Sequence, residues 1–404
     1  MQRLAETLNL NPDSITVADM DTSAPHSGWR LLVSRDDLST TTLETAPVPE
    51  VQPGEALLRV DRVGLTANNV TYAALGDSFR YWEFFPAPDG WGTVPVWGFA
   101  EVVASRAAGV TPGTRVYGYL PSGSHLLVRP GRADERGFRD AAPHRAELPS
   151  TYNRYASTTH DPGYAADRED LQVLYRPLFW TSFLLADWLA DQELFGARAV
   201  VLSSASSKTA YGTAFELREH RERHGTAEGP DGPDGHEIVG LTSPRNRAFT
   251  ESLGCYDRVL TYDETGLLSL ERPAVYADFA GDEALTAALR AHLGGALAYH
   301  VTVGVTHQEP APAGSLAEAG SGTETRASSG TGMFFAPVQL RKRVGDWGRD
   351  GLGERFGEAW QRFGAAVESW VDVMHGHGGE ALQRVWHDVQ SGRSTPRTGH
   401  VLTL

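Results

Sequence analysis

Ala199-Val200-Val201-Leu202-Ser203-Ser204-Ala205-Ser206-Ser207-Lys208-Thr209-Ala210-Tyr211-Gly212 is the stretch on which the reading of this chain turns. An apolar run of strand length stops at a string of small residues. A helical pattern then begins, with Ala210, Ala214 and Leu217 recurring along one face. This is the pattern of a strand, a tight turn and a helix N-terminus. Such a turn gathers free backbone N–H groups and the positive end of a helix dipole at one point, an arrangement suited to phosphate.

The best-known turn of this kind is G-x-G-x-x-G, whose glycines allow the tight turn and close approach of a pyrophosphate. The looser G-x-x-G-x-x-G fits better here, with Ser204, Ser207 and Ala210 where its glycines would stand. These residues are small enough to leave the approach open, but they restrict positive φ. A P-loop is a rival reading, because Ser207-Lys208-Thr209 echoes G-K-[ST]. That motif requires glycine at the positions of Leu202 and Ser207, and both are absent. An ordinary strand-to-helix turn without a ligand is the third reading.

The chain has 404 residues, a length that points to two domains. Its net charge of −15 argues against a nucleic-acid partner, since phosphate binding needs concentrated Lys and Arg. The one cysteine, Cys255, rules out an intrachain disulfide and a Cys-based zinc site. No basic-then-apolar leader and no bilayer-length apolar run are evident, so a cytoplasmic protein without membrane contact is expected.

In chain order, residues 1–28 are expected to be a loosely attached N-terminal extension. Residues 29–170 carry short strands separated by Pro/Gly turns, the pattern of a compact, partly barrel-like domain. Within it, Tyr81-Trp82-Glu83-Phe84-Phe85, Trp91 and Trp97 form an aromatic run, read either as a loop covering a core edge or as a substrate wall. Residues 131–170 read as an inserted surface segment. From 171 to 332 strands alternate with helices, which implies a parallel, doubly wound sheet. Loops are expected at about 219–235 and 308–331. Residues 333–404 form a C-terminal segment with helices around 355–373 and 380–389 and a closing strand at 399–404.

The order of these pieces resembles the medium-chain dehydrogenase/reductase superfamily, in its zinc-free, quinone-oxidoreductase-like branch. Pro53-Gly54-Glu55-Ala56-Leu57-Leu58-Arg59-Val60 is similar to the family's G-E-V-L-V-x-V opening, and Gly64-Leu65-Thr66-Ala67-Asn68-Asn69 to its G-L-N-x-x-D segment. Gly98–Val103 resembles the G-x-E-x-x-G-x-V strand. Leu253-Gly254-Cys255-Tyr256-Asp257-Arg258-Val259 resembles L-G-A-D-x-V. Gly399-His400-Val401-Leu402 resembles the closing G-K-V-V-L. Within the superfamily the chain is most similar to a bacterial group described only as a domain of unknown function. The resemblance implies a Rossmann-like doubly wound parallel sheet plus a GroES-like β-rich catalytic domain. It also implies a small-molecule substrate, and allows a homodimer joined through the sheet edge near 298–303.

Catalytic zinc in the superfamily needs Cys and His where this chain has Thr66 or Ala67, and Phe99, so no metal is expected. His125, His300 and His307 lack ligand spacing. After the second strand, where an acidic residue would bind the adenosine ribose, the chain reads Thr242-Ser243-Pro244-Arg245-Asn246-Arg247. Arginine there accommodates a 2′-phosphate, which favours NADP(H). The expected cofactor-binding set is Thr66, Thr181, Ser204, Ser206, Ser207, Lys208, Thr209, Ser243, Arg245, Arg247, Tyr262 and Gly304. With no zinc to polarise a carbonyl, hydrogen-bond donors must do so, and the resemblance places Asn68, Asn69, Tyr72 and Tyr81 at the reacting end. The expected activity is a zinc-independent, NADP(H)-dependent reduction of an activated alkene, quinone or carbonyl. A lyase or isomerase, or a non-catalytic nucleotide-binding protein, is the alternative on the same scaffold.

Overall fold

The computed structural model describes residues 27–224, 235–303 and 330–404. The expected extension before Ser27, Gly304, His307 and most of both expected loops lie outside these residues.

Strands β1 (Ser27–Ser34), β2 (Thr41–Pro47), β3 (Ala56–Leu65), β4 (Trp91–Gly92), β5 (Pro95–Ser105), β6 (Arg115–Pro121), β7 (His125–Val128), β8 (Pro130–Asp134), β9 (Gly137–Asp140) and β10 (Arg154–Ser157) build the first half. β2, β1 and β4 form a three-stranded sheet, while the others join a nine-stranded one. Residues 131–170 are therefore not a surface insertion. They supply β8 to β10, and Tyr155 and the Arg145–Asp140 ion pair are buried there. Their polar composition hid this, because the buried arginine is matched by a buried acid and by the Tyr155 hydroxyl.

The second half is a six-stranded sheet of β11 (Ala199–Leu202), β12 (Glu237–Thr242), β13 (Arg258–Thr261), β14 (Ala274–Asp278), β15 (Leu297–Val303) and β16 (Thr331–Phe334). Its order is β13-β12-β11-β14-β15-β16, and every pairing is parallel. β11 is buried at all four positions, as a strand covered on both faces must be. This is the doubly wound order, with its reversal between β11 and β14.

Helix α1 (Ala67–Ala74) follows β3, and α2 (Glu169–Asp191) links the two sheets. α3 (Lys208–His224), α4 (Arg247–Ser252) and α5 (Glu283–Leu293) alternate with the parallel strands. A long α6 (Ala336–Val367) with a break at Gly348, and α7 (Gly378–Gln390), follow. α6 packs on α2 through stacked Phe179 and Phe363 rings 4.3 Å apart. It starts well before the expected helix at 355. The expected helical residues 372–373 instead open a strand, β17 (Asp372–His377). β17 pairs with β18 (Thr398–Thr403), which runs antiparallel to β3, so the chain's end returns to the first sheet. β16 spans the expected boundary at residue 332 and covers β15, so the free sheet edge is β16 rather than 298–303.

Candidate functional site

A cleft of about 3570 Å³ opens between the nine-stranded and six-stranded sheets. On its floor lies the turn between β11 and α3. Ser204 takes φ +50°, the left-handed conformation that glycine adopts freely and other residues adopt at a cost. Ser207 accepts from the Ala210 N–H at 3.4 Å at the helix entry. Four side chains from outside the turn hold it. The buried Ser203 hydroxyl donates to Asp278 Oδ1 at 2.9 Å, tying the ends of β11 and β14 together at the switch point. The Tyr256 hydroxyl donates to the Ala205 carbonyl at 2.9 Å, and the Asn246 amide to Ser206 Oγ at 3.0 Å. Ser182 of α2 donates to the Thr209 carbonyl at 2.8 Å. A Cβ on Gly212 would stand 2.7 Å from that same Ser182 oxygen, so glycine there lets α2 and α3 meet.

Most of the expected residues converge on this cleft. Thr66, Asn68, Tyr72, Tyr81, Thr181, Ser204, Ser206, Ser207, Lys208, Thr209 and Arg245 all line it. Tyr262 stands just behind, within hydrogen-bonding reach of Ser204. Ser243 presents a buried hydroxyl without a hydrogen-bond partner. Arg245 is exposed beside it, with no ion pair among the described residues. Two expected residues are committed elsewhere. Asn69 is buried and caps α1, its oxygen accepting from Thr66 N–H at 2.7 Å and its amide donating to the Pro95 carbonyl. Arg247 lies outside the cleft lining and pairs with Glu264 at 2.8 Å and Glu251 at 2.9 Å.

The opposite wall is aromatic. Tyr72 and Tyr81 rings lie 4.8 Å apart, and Trp97 donates to the Tyr72 hydroxyl at 3.1 Å. Tyr152, from the segment read as a surface insertion, completes the wall against Tyr81 and Tyr119. Burial pushes the Tyr72 hydroxyl well above the usual phenol range, with the neighbouring Tyr81 adding to it. Burial raises Tyr81 as well. Both phenols are thus held protonated, as donors. The aromatic run divides: Trp82 and Phe84 are core, while Tyr81 and Trp97 face the cleft. Phe85 is core as well, and because Tyr81–Phe84 form a short 3-10 turn rather than a strand, no period-2 alternation marks which rings turn inward.

Lys208, the first residue of α3, is half-buried on the cleft floor. Its ammonium lies 5.3 Å from the centre of the Tyr175 ring, and the Pro396 and Thr398 carbonyls accept from it at 3.4 and 3.5 Å. Burial pushes its pKa down to about 8. Neither the enclosing role of residues 394–398 nor that of Tyr152 carries a motif in the sequence. Among the described residues, no group of three or more His, Cys, Asp or Glu side chains is placed to hold a metal ion.

Residues 63–395 match the model of a family described as protein of unknown function (DUF2855). The chain belongs to this family. No curated protein sequence is detectably similar to it. Among solved structures, CurA from Vibrio vulnificus in complex with NADPH superposes with a TM-score of 0.54 at 11% identity, covering 93% of this chain and 98% of that one. The quinone oxidoreductase from Coxiella burnetii gives 0.51 at 13% identity, covering 94% and 99%. This DUF2855 chain therefore has the fold of the medium-chain dehydrogenase/reductases along nearly its whole length. Among the described residues no helix is long and apolar enough to cross a membrane.

Proposed function

We propose that this DUF2855 protein is a zinc-independent, NADP(H)-dependent oxidoreductase acting on an activated alkene, quinone or carbonyl. The carrying observation is the end of β12. A buried Ser243 hydroxyl and an exposed Arg245, both without a partner among the described residues, stand together there, and the sequence from Thr242 to Arg247 holds no acidic residue where an adenosine ribose would be bound. An orphaned buried hydroxyl is costly unless something supplies its partner. A 2′-phosphate would satisfy both groups. The Ser204–Ser207 turn supplies the second half of the fit, with small side chains and a helix N-terminus facing the cleft at the switch point. The NADPH bound in CurA supports the same reading.

Bound there, the cofactor would supply hydride chemistry. The chain's own residues provide the rest. Ser206, Ser207 and Thr209 surround the pyrophosphate position, and Thr66 and Thr181 face the nicotinamide end. Asn68, Tyr72 and Tyr81 wall the substrate space with neutral donors in an apolar setting, where such donors act strongly on developing charge. Phe99 and the Thr66-Ala67 pair offer no zinc ligand. An aromatic wall suits a flat, conjugated substrate.

The test is a fluorescence titration with NADPH and NADH, followed by oxidation assays on a panel of enones, quinones and aldehydes. Preferential NADPH binding with turnover of a panel member is the expected result. Lack of NADPH binding refutes the reading. Binding without any oxidation would favour an isomerase, lyase or nucleotide-binding protein.

A further inference from the structure

This chain carries 36 basic residues, and only Lys208 and Lys342 are lysine. Everywhere else arginine serves. Lys342 makes ordinary ion pairs with Asp346 at 2.9 Å and Asp191 at 3.3 Å, work an arginine could do. Among the described residues, Lys208 has no carboxylate partner. It stands where an arginine could also bind a phosphate, and with better geometry. What a lysine can do and an arginine cannot is release its proton near neutral pH.

The position fits such a role. The Lys208 ammonium reaches the Pro396 and Thr398 carbonyls beside the nine-stranded sheet. Thr398, whose carbonyl it touches, and His400 belong to β18, and His400 pairs with Leu65, the residue before Thr66. Lys208, Thr398, His400, Asn68 and Tyr72 all line the same cleft. Among the described residues, the titratable groups packed around it are phenols, a histidine and an arginine. They are Tyr175 and Tyr211, hydrogen-bonded to each other at 3.0 Å, together with His400 and Arg397. Burial lowers the pKa of His400, and the charge of Lys208 adds to that, while Asp388 opposes it. Both phenols are pushed up by burial. Lys208 itself is brought to about 8, close to where an efficient general acid sits, whereas Tyr72 and Tyr81 are driven away from it.

We propose that Lys208 is the proton donor of this cleft, serving a conjugated carbonyl substrate rather than a cofactor phosphate. The proposal rests on the reductase reading above. As the substrate carbon accepts hydride from the reduced nicotinamide, negative charge collects on the substrate oxygen. A Lys208 N–H bond breaks and an O–H bond forms. The amine keeps the electron pair and takes a new proton from water at the cleft mouth.

Having only two lysines makes the test direct. Reductive methylation with formaldehyde and cyanoborohydride, followed across pH by peptide mass analysis, reads the titration of each amine. Lys208 should show a rate midpoint near pH 8, and Lys342 one above pH 10. Lys208→Met and Lys208→Arg, checked by melting, should keep NADPH affinity within about threefold, because the ammonium meets no phosphate. A Lys208 midpoint shared with Lys342, or no modification up to pH 10, overturns the proposal. So does a loss of NADPH affinity beyond tenfold in Lys208→Met that Lys208→Arg restores, which would make Lys208 a phosphate ligand. Failure of the native protein to bind NADPH would remove the reductase reading and the donor role with it. A missing midpoint with NADPH binding intact would remove the donor role alone.

Discussion

Separate replacement of Arg245 and Arg247 tests the cofactor assignment at the point where sequence and structure part company. The two arginines are two residues apart and look equivalent in the chain. In the folded protein Arg247 is occupied by Glu264 and Glu251, while Arg245 is exposed and makes no ion pair among the described residues. If Arg245 meets a 2′-phosphate, Arg245→Ala loses one charge-assisted contact, worth roughly 1.5–3 kcal/mol. Its exposure puts the expected loss at the lower end. NADPH affinity should then fall about tenfold, by the usual tenfold per 1.4 kcal/mol. NADH affinity should not move, because NADH has no phosphate there. Arg247→Ala should leave both cofactors alone and shift the melting temperature only slightly, as exposed ion pairs contribute little. Fluorescence titration of both variants with both cofactors, beside thermal melts, reads all of this. Equal losses of NADPH and NADH in Arg245→Ala would refute the 2′-phosphate reasoning. So would an Arg247→Ala variant that discriminates less than Arg245→Ala.

Ser207→Leu should abolish NADPH binding while the protein still melts cooperatively, because the side chain faces the cleft. A variant that binds normally would separate the turn from phosphate. Ser204→Gly should melt at or slightly above the native temperature, since relief of the left-handed strain of about 1–2 kcal/mol outweighs an entropic cost of about 0.5–1 kcal/mol; a clear drop in melting temperature would contradict the strained geometry. Tyr256→Phe leaves the Ala205 carbonyl without its donor and should cost about 1–3 kcal/mol in chemical denaturation, along with weaker NADPH binding. Glu216 is buried with one oxygen unpartnered, and burial raises its pKa to about 7. A carboxyl raised in the folded state lends stability that is full below its unfolded value near 4.5 and is lost as pH climbs through about 7. Glu216→Gln should therefore flatten the stability profile across that window and gain on the order of 3 kcal/mol at pH 8; an unchanged slope would contradict it.

The second sheet was legible because its strands are buried on both faces and read as unbroken apolar runs, such as Ala199–Leu202 and Ala274–Tyr276. The first sheet was legible up to Leu120, where Pro/Gly turns mark strand ends. It became opaque at 131–170, because its core there contains an ion pair, Arg145 with Asp140, which resembles surface composition. Asn69 could not be told from Asn68 by type. Only the α1 cap, which needs an acceptor at that offset from Thr66, draws one inward and leaves the other facing the cleft. The pairing of Arg247 was hidden for the same reason: its partner Glu264 lies 17 residues away, in the turn after β13. Tyr152 and residues 394–398 reach the cleft only by long-range folding, and no local period records that.

The serine-rich turn raises the question of how a nucleotide site survives without its glycines. Glycine in such a turn offers freedom; it does not hold a shape. Here the shape is held from outside. Asp278, Tyr256, Asn246 and Ser182 come from four separate elements, and each fixes one residue of the turn. Their hydrogen bonds, about 1 kcal/mol each, together exceed the strain of one serine in the left-handed region. A strained residue persists only where its surroundings over-determine it. The same bonds keep the serines from collapsing into the cleft, so the approach stays open. The glycine motif is thus replaced by a set of distant partners, and its function passes from backbone freedom to side-chain restraint. Such a turn cannot be recognised by looking for glycine, but it leaves a trace that can be looked for: hydrogen-bonding side chains from separate neighbouring elements that converge on the hydroxyls and carbonyls of the same few residues.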